Sequence, residues 1–275
     1  MGRASVEPGF AESLIERNKR YKHLFEVKVF DMKKKKSKKE KEKENQPDKD
    51  TLKVDSSEDK DGYITTKVPG VVCKNLDELV FEFIHERGLN PWDVEVLCGL
   101  DDGQCFNKIG FILQEKDKEE KVGRAKRTDG LFPKAFKDTG VKKMFISAVV
   151  PQSPENHHNQ KLILDAMGIE GLEWSMTVDL KMANCLVGKS SGQPTYGCPF
   201  CDSGKPYTNE TYNLLTLGDV DELLNAYVAA GSKSKNQAQY QNFVYRCLLA
   251  GHPKSRVLGI LLIPGLHEIM GKTSI

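Results

Sequence analysis

The order of the apolar segments between Val94 and Gly188 constrains the fold of this chain most strongly. VEVLCGL (Val94–Leu100) and FNKIGFILQ (Phe106–Gln114) have the short apolar patterns of β-strands, and Asp101-Asp102-Gly103 between them is typical of a hairpin turn. MFISAVVP (Met144–Pro151) is a continuous apolar run of the kind found at the centre of a sheet. These three segments predict an antiparallel meander.

The segments that follow change the period of the pattern. Residues 154–167 have helical spacing, LEWSMTV (Leu172–Val178) is typical of a fourth strand, and LKMANCLVG predicts a helix that ends at Gly188. A meander followed by a crossover connection predicts a mixed α/β sheet in which the first and fourth of these strands are neighbours. Ahead of the meander, Asn75 is the expected N-cap of a helix that ends at Gly88.

The N-terminal part of the chain has a different composition. Residues 9–30 have apolar side chains near helical spacing, which predicts one amphipathic helix. KKKKSKKEKEKENQPDKD (Lys33–Asp50) has no apolar residue, so we expect disorder from there to about residue 62. Its lysines fit a nuclear-import signal or non-specific contact with nucleic acid, and they fit a solubilising linker equally well.

Composition excludes several classes of protein. The net charge of +2 balances 41 basic against 39 acidic residues, and no apolar run approaches the length of a membrane span. Seven cysteines, an odd number scattered through apolar segments, do not form a secreted disulfide framework. We therefore expect a soluble intracellular protein without a membrane partner, whose cysteines are mostly small core residues.

Two acidic positions follow predicted neighbouring strands. Asp101 or Asp102 ends the first strand and Asp179 ends the fourth, so their carboxylates are expected at one edge of the sheet. Paired carboxylates bind Mg²⁺ or Mn²⁺, and two such ions can activate water and stabilise the leaving oxygen of a phosphodiester. The alternative is that Asp101-Asp102-Gly103 is only a turn and Asp179 only a helix cap.

Cys198-Pro-Phe-Cys201 has the spacing of half a tetrahedral zinc site. His252 and His267 are the expected completing ligands, with Cys185 and Cys247 as competitors. The helices predicted after this knuckle span 219–230 and 237–249. The alternatives are that the cysteine pair serves redox chemistry or that its spacing arises by chance.

Other polar residues predict surfaces. His157-His158-Asn159 lies in the first turn of a predicted helix, which favours a solvated helix face. Lys181 and Lys189 flank the helix after Asp179 and fit either phosphate contact or a solvated face.

Residues 75–275 resemble the catalytic core of RNase H-like DDE transposases, above all Transib-type elements and the V(D)J recombinase catalytic subunit. Three stretches carry the resemblance, namely LDDGQCFNKIGFIL, VDLKMANCLVGKSSGQPTYGCPFC and IPGLHEIMG. It implies that Asp101 (or Asp102) and Asp179 bind catalytic Mg²⁺ or Mn²⁺, and that Cys198 and Cys201 bind structural zinc in a helical insertion.

The resemblance also has two departures. The family's third acid, a glutamate on a helix beyond the insertion, has no counterpart in these 275 residues, and Glu268 beside His267 does not match it. The distal His pair that completes the zinc site of the recombinase is likewise without a counterpart. We therefore expect a fragment or a domesticated remnant with incomplete activity.

These expectations define four regions: an N-terminal helical segment (1–30), a disordered Lys-rich linker (31–62), an RNase H-like α/β core (63–190) and a helical insertion with the zinc knuckle (191–275). The predicted function is that of a transposon-derived, metal-dependent DNA-processing protein, nuclear rather than cytoplasmic, with DNA and a possible second copy of itself as partners. The alternative is a non-catalytic zinc-containing protein that binds nucleic acid or acts as a scaffold.

Overall fold

The computed structural model describes residues 19–35, 56–58, 63–103, 106–115, 144–169, 175–190, 196–204 and 212–262. The strands are β1 (Phe25–Lys35), β2 (Ser56–Glu58), β3 (Tyr63–Cys73), β4 (Val94–Gly103), β5 (Phe106–Glu115), β6 (Phe145–Pro151), β7 (Ser175–Thr177) and β8 (Leu261–Leu262). The helices are α1 (Leu76–Glu86), α2 (His157–Met167), α3 (Leu180–Leu186), α4 (Leu217–Ala229) and α5 (Val257–Ile260). The predicted mixed α/β class is confirmed.

The eight strands of the described residues belong to one sheet of order β1-β3-β6-β5-β4-β7-β8, with β2 paired to β3. The strands β4, β5 and β6 form the predicted antiparallel meander. The chain then crosses over through α2 to β7, which pairs with β4 in parallel, and β8 pairs in parallel with β7. The first and fourth strands of the predicted pattern are therefore neighbours, as expected.

The hairpin between β4 and β5 is longer than predicted. Its ladder continues to the pair Gly103–Phe106, so Asp101 and Asp102 lie within β4 and do not form the turn. Asp101 stands opposite Lys108, and opposite charges at paired positions favour continued strand pairing. The turn prediction for Asp101-Asp102-Gly103 was wrong for this reason.

The predicted helix over residues 9–30 is also wrong in its C-terminal part. Residues 25–35 form β1, which pairs antiparallel with β3 along its whole length. Phe30 and Met32 alternate with exposed neighbours and are almost fully buried, whereas Val29 is 60% exposed. This period of two, with two β-branched valines in the run, favours a strand over a helix.

The strand β1 also overturns part of the disordered-linker prediction. Residues 31–35 and 56–58 belong to the sheet, while 36–55 and 59–62 lie outside the described residues. The end of β1 is held by α2: the Lys33 amide donates to Asn159 Oδ1 (2.8 Å), and Asn156 Nδ2 donates to the Lys33 carbonyl (2.8 Å). Asn159 is fully buried, which contradicts the prediction of a solvated face there.

An aromatic cluster fills the core between α1 and the sheet. Phe83 of α1 lies 4.5 Å from the ring centre of Phe145 and 5.6 Å from that of Phe111. Tyr21 lies 5.0 Å from Phe83 on the other side and donates a hydrogen bond to Glu86. The helix begins at the predicted cap, where Asn75 accepts from the Glu78 amide.

The C-terminal region is less helical than predicted. The helix α4 begins with a capping box in which Thr216 and Asp219 bond each other's backbone amides. The second predicted helix, 237–249, is reduced to a 3₁₀ turn, Ser234–Tyr240. Gln241 and Asn242 have positive φ angles (50° and 65°), which end the helical path and turn the chain back towards α3.

Candidate functional site

The two predicted acids lie near the carboxyl ends of neighbouring parallel strands, Asp101 within β4 and Asp179 two residues beyond β7. The register pairs Gly99 of β4 with Thr177 of β7, and Asp101 and Asp179 each lie two residues further along their chains. Both residues are exposed. Both acids therefore lie just beyond the carboxyl end of the β4–β7 ladder.

The carboxylate of Asp179 already has a structural role. Its Oδ1 accepts a hydrogen bond from the Met182 amide (2.7 Å), which makes Asp179 the N-cap of α3. This bond uses one oxygen, and the second carboxylate oxygen remains able to accept another partner. Asp102 lies one residue beyond Asp101 in β4, opposite Asn107.

Cys198 and Cys201 come together in a compact turn. The Phe200 amide lies 3.4 Å from Cys198 Sγ and donates to it, and the Leu215 amide donates to the Phe200 carbonyl (2.8 Å). Burial, together with a hydrogen bond to the Cys198 side chain, raises the pKa of the Cys201 thiol to about 11. Two adjacent thiols with an amide donor to sulfur can supply half of a tetrahedral zinc site.

Of the two histidines predicted to complete the zinc site, only His252 belongs to the described residues, and it is not grouped with the two thiols. His252 is exposed, and its Nδ1 accepts from the Lys254 amide (3.1 Å). His267 lies outside the described residues. Within the described part of the chain, no three His, Cys, Asp or Glu side chains are grouped as metal ligands.

Lys189 is buried, so of the two alternatives that the sequence left open for it the solvated helix face is wrong. It is 4% exposed, and its Nζ donates to the carbonyl of Cys198 (2.6 Å) and to that of Tyr196 (3.2 Å). The ammonium group also lies 4.7 Å from the ring centre of Phe243. Burial lowers the pKa of Lys189 to about 8, although the nearby cysteine side chains oppose this shift. Lys189 therefore fastens α3 to the cysteine turn.

His157 likewise has partners where a solvated face was predicted. Its ring stacks on Tyr245 at 4.7 Å, and Nε2 lies 2.7 Å from the Arg246 carbonyl. Burial lowers the pKa of His157, which favours the neutral ring. His157 and Tyr245 line a cavity of about 660 Å³ between α2 and α3.

Sequence patterns alone did not indicate this cavity. Its walls come from segments far apart in the chain, including the end of β1, the start of α2 and one face of α3. In the sequence, the basic residues around the cavity stood out only as scattered lysines and histidines. Helical spacing could have grouped Lys181 with Asn184, because residues three apart share a helix face.

Comparison with known proteins gives no family assignment: the chain matches no protein-family model, no curated protein and no solved structure. Among the described helices, none is long and apolar enough to cross a membrane.

Proposed function

We propose that this chain is a transposon-derived DNA-processing protein with an RNase H-like core, in which Asp101 and Asp179 bind Mg²⁺ or Mn²⁺. The observation that carries the proposal is the register of β4 and β7, because Asp101 and Asp179 each follow the pair Gly99–Thr177 by two residues. The meander followed by a parallel neighbour strand is the connectivity that the resemblance to DDE transposases implies.

Chemically, the two carboxylates would hold a hard divalent cation through oxygen ligands. Such an ion lowers the pKa of a bound water and stabilises charge on the phosphodiester oxygens during hydrolysis or strand transfer. Asp101 is preferred over Asp102 because it follows the pair Gly99–Thr177 by two residues, as Asp179 does. The third acid of the family is not assigned to any residue of this chain.

The cysteine turn adds further support through the same resemblance. Cys198 follows Asp179 by nineteen positions, and the resemblance places a zinc-bound insertion directly after the second acid. The two thiols lie side by side, as a shared zinc ion requires. We propose that His267 or other residues outside the described part complete this site.

A second candidate function is a non-catalytic, zinc-containing protein that binds nucleic acid. The observation that favours it is the bond from the Met182 amide to Asp179, because a helix cap accounts for this acid without any metal.

Manganese binding and DNA nicking together distinguish the two candidates. The proposal predicts that the purified chain binds Mn²⁺, measured by calorimetry, and that Asp101→Asn and Asp179→Asn each weaken binding at least about tenfold. Asp221→Asn, an exposed acid on α4, is the matched control and should bind as the wild type does. Nicking of supercoiled DNA that requires Mn²⁺ and both acids supports the enzyme.

The second candidate is supported instead if the protein binds DNA equally well with and without Mn²⁺ and if neither substitution changes this binding.

A further inference from the structure

The cavity between α2 and α3 is separate from both proposed metal sites. Asp101, Asp179, Cys198 and Cys201 are not among the residues that line it. Its volume of about 660 Å³ falls within the range of ligand-binding sites. The cavity can therefore hold a ligand of its own, and the side chains that a ligand can reach decide which kind.

The lining is cationic, although the charge of the whole chain is nearly balanced. The described lining residues include four lysines, Lys33, Lys161, Lys181 and Lys189, and one carboxylate, that of Glu155. The whole chain has 41 basic and 39 acidic residues. A concave surface with an excess of one sign of charge concentrates ligands of the opposite sign, so this cavity favours an anion.

Two of these lysines pair with acids and are nevertheless accessible. Lys181 pairs with Glu155, and Lys161 Nζ lies 2.7 Å from Asp165 Oδ2. The Lys181 side chain is 71% exposed and that of Lys161 is 41% exposed, so a ligand can reach both. The pair of Lys161 and Asp165 lies at the surface, where ion pairs contribute little to stability and a phosphate can replace the carboxylate. Four lysines against these two carboxylates leave the cavity positive.

An accessible aromatic ring belongs to the same lining. Tyr245 is 45% exposed, although its ring stacks on His157 with 4.7 Å between the ring centres and 16° between the planes. His157 is itself held in place, because its Nε2 lies 2.7 Å from the Arg246 carbonyl. Since His157 covers one face of the tyrosine ring, the exposure falls on the remaining surface of the ring, where a planar group can stack.

We propose that this cavity binds an unpaired nucleotide of single-stranded DNA, whose base stacks on Tyr245 and whose flanking phosphates contact the lysines. A cationic groove combined with a stacking ring is the arrangement that binds single strands without reading their sequence. Bases in a duplex are stacked on both faces by their neighbours, so the same contact requires an unpaired strand. The inference rests on the proposed function for its class of ligand, and it does not depend on metal binding by Asp101 and Asp179.

Fluorescence anisotropy of the full chain with labelled oligo(dT) tests the inference in a buffer without added divalent cations. Oligo(dT) should bind at least about tenfold more tightly than a duplex of the same length. Oligo(dC) should bind within about threefold of oligo(dT), because stacking and phosphate contact do not read the base. TMP should bind more weakly than oligo(dT) by at least about tenfold, because it lacks the flanking phosphates.

Substitutions of tyrosine connect the binding to this cavity. Tyr245→Ala should weaken oligo(dT) binding at least about fivefold, whereas Tyr245→Phe keeps the stacking ring and should bind as the wild type does. Tyr212→Ala is the matched control, because Tyr212 is 60% exposed and is not among the described lining residues. This control should bind oligo(dT) like the wild type.

A lysine substitution tests the phosphate contact separately from the ring. Lys161→Gln should weaken oligo(dT) binding and lower the slope of log Kd against log salt concentration by about 0.7, the value for one phosphate contact on a single strand. Lys254→Gln, which changes an exposed lysine outside the described lining, should leave that slope unchanged.

Equal affinity for duplex and single strand would overturn the inference, as would a folded chain that binds neither, or TMP binding as tight as that of oligo(dT). A chain that binds oligo(dT) through Tyr245 but neither binds Mn²⁺ nor nicks DNA would support this inference and reject the proposed catalysis. A chain that binds Mn²⁺ through both acids, while Tyr245→Ala and Lys161→Gln leave strand binding intact, would do the reverse.

Discussion

At the scale of a single residue, the carboxylate of Asp179 caps α3 and is also the proposed metal ligand. Substitutions can separate these two roles. Asparagine is as good an N-cap as aspartate, so Asp179→Asn should leave the free energy of unfolding almost unchanged. Asp179→Ala removes the acceptor for the Met182 amide and should cost about 1 kcal/mol. Urea unfolding measures both.

Both variants should lose Mn²⁺ binding, since neither carries the charged oxygen that a divalent cation requires. An Asp179→Asn variant that binds Mn²⁺ like the wild type would assign Asp179 to capping alone.

Lys189 gives the protein a pH dependence with a definite sign. Its folded-state pKa is about 8 and its ordinary value is 10.5, so the unfolded chain binds more protons between these values. The contribution of Lys189 to the free energy of unfolding therefore rises as the pH increases across that window. Below the window this contribution is constant and at its lowest. The full change is on the order of 3 kcal/mol.

The variant Lys189→Met isolates this contribution from the cysteines, whose raised pKa values act in the opposite direction. The unfolding free energy of the wild type minus that of Lys189→Met should increase as pH rises above about 8. The same difference for Lys254→Met, an exposed lysine, should stay flat. A flat difference for Lys189 too would mean that its ammonium group is well solvated.

At the scale of elements, β1 is the strand that was not predicted from the composition of the N-terminal region. Phe30 is 3% exposed on one face of β1, and Val29 is 60% exposed on the other. Phe30→Ala should lower the free energy of unfolding by about 3 to 5 kcal/mol, because it leaves a cavity in the core. Val29→Ala is the control and should change stability by less than about 1 kcal/mol.

Chemical denaturation of both variants decides whether β1 belongs to the folded core. If both substitutions change the free energy of unfolding by equally small amounts, this segment belongs to the linker that its lysines first suggested.

The cysteine turn makes a prediction about metal content. Purified protein should contain about one zinc ion per chain, and Cys198→Ser or Cys201→Ser should remove it. Cys98→Ala, which removes a buried thiol of β4, should retain zinc. His267→Ala should reduce zinc content, whereas His252→Ala should not, because the exposed His252 is not grouped with the two thiols.

Elemental analysis of these variants provides the readout. Zinc-free wild-type protein that is fully folded would reject a metal site at the turn.

For the whole molecule, the parts predictable from sequence were those with local signals. The β4–β5–β6 meander, the Asn75 cap and the parallel neighbour β7 follow from hydrophobic period, the capping residue and chain order. The strand β1 was missed because its identity depends on pairing with β3 and on Asn159, 126 residues away from Lys33. Long-range hydrogen bonds of this kind leave no periodic trace in the sequence.

The candidate sites divide in the same way. Asp101 and Asp179 were visible because each directly follows an apolar run, and the cysteine pair because of its fixed spacing. The burial of Lys189 and the stacking of Tyr245 on His157 were not visible, since each depends on which distant residues the fold brings close. The polar residues His157 and Asn159 were assigned to a solvated helix face, whereas tertiary contacts give both of them partners within the fold.

The most direct measurement of the central proposal is a crystal structure of the chain grown with Mn²⁺, with anomalous scattering used to locate the ion. We predict an anomalous peak bound by both Asp101 and Asp179, with their carboxylates within about 10 Å of each other, as metal ions about 4 Å apart require. Carboxylates that point to opposite faces of the sheet, with no manganese between them, would contradict the proposal.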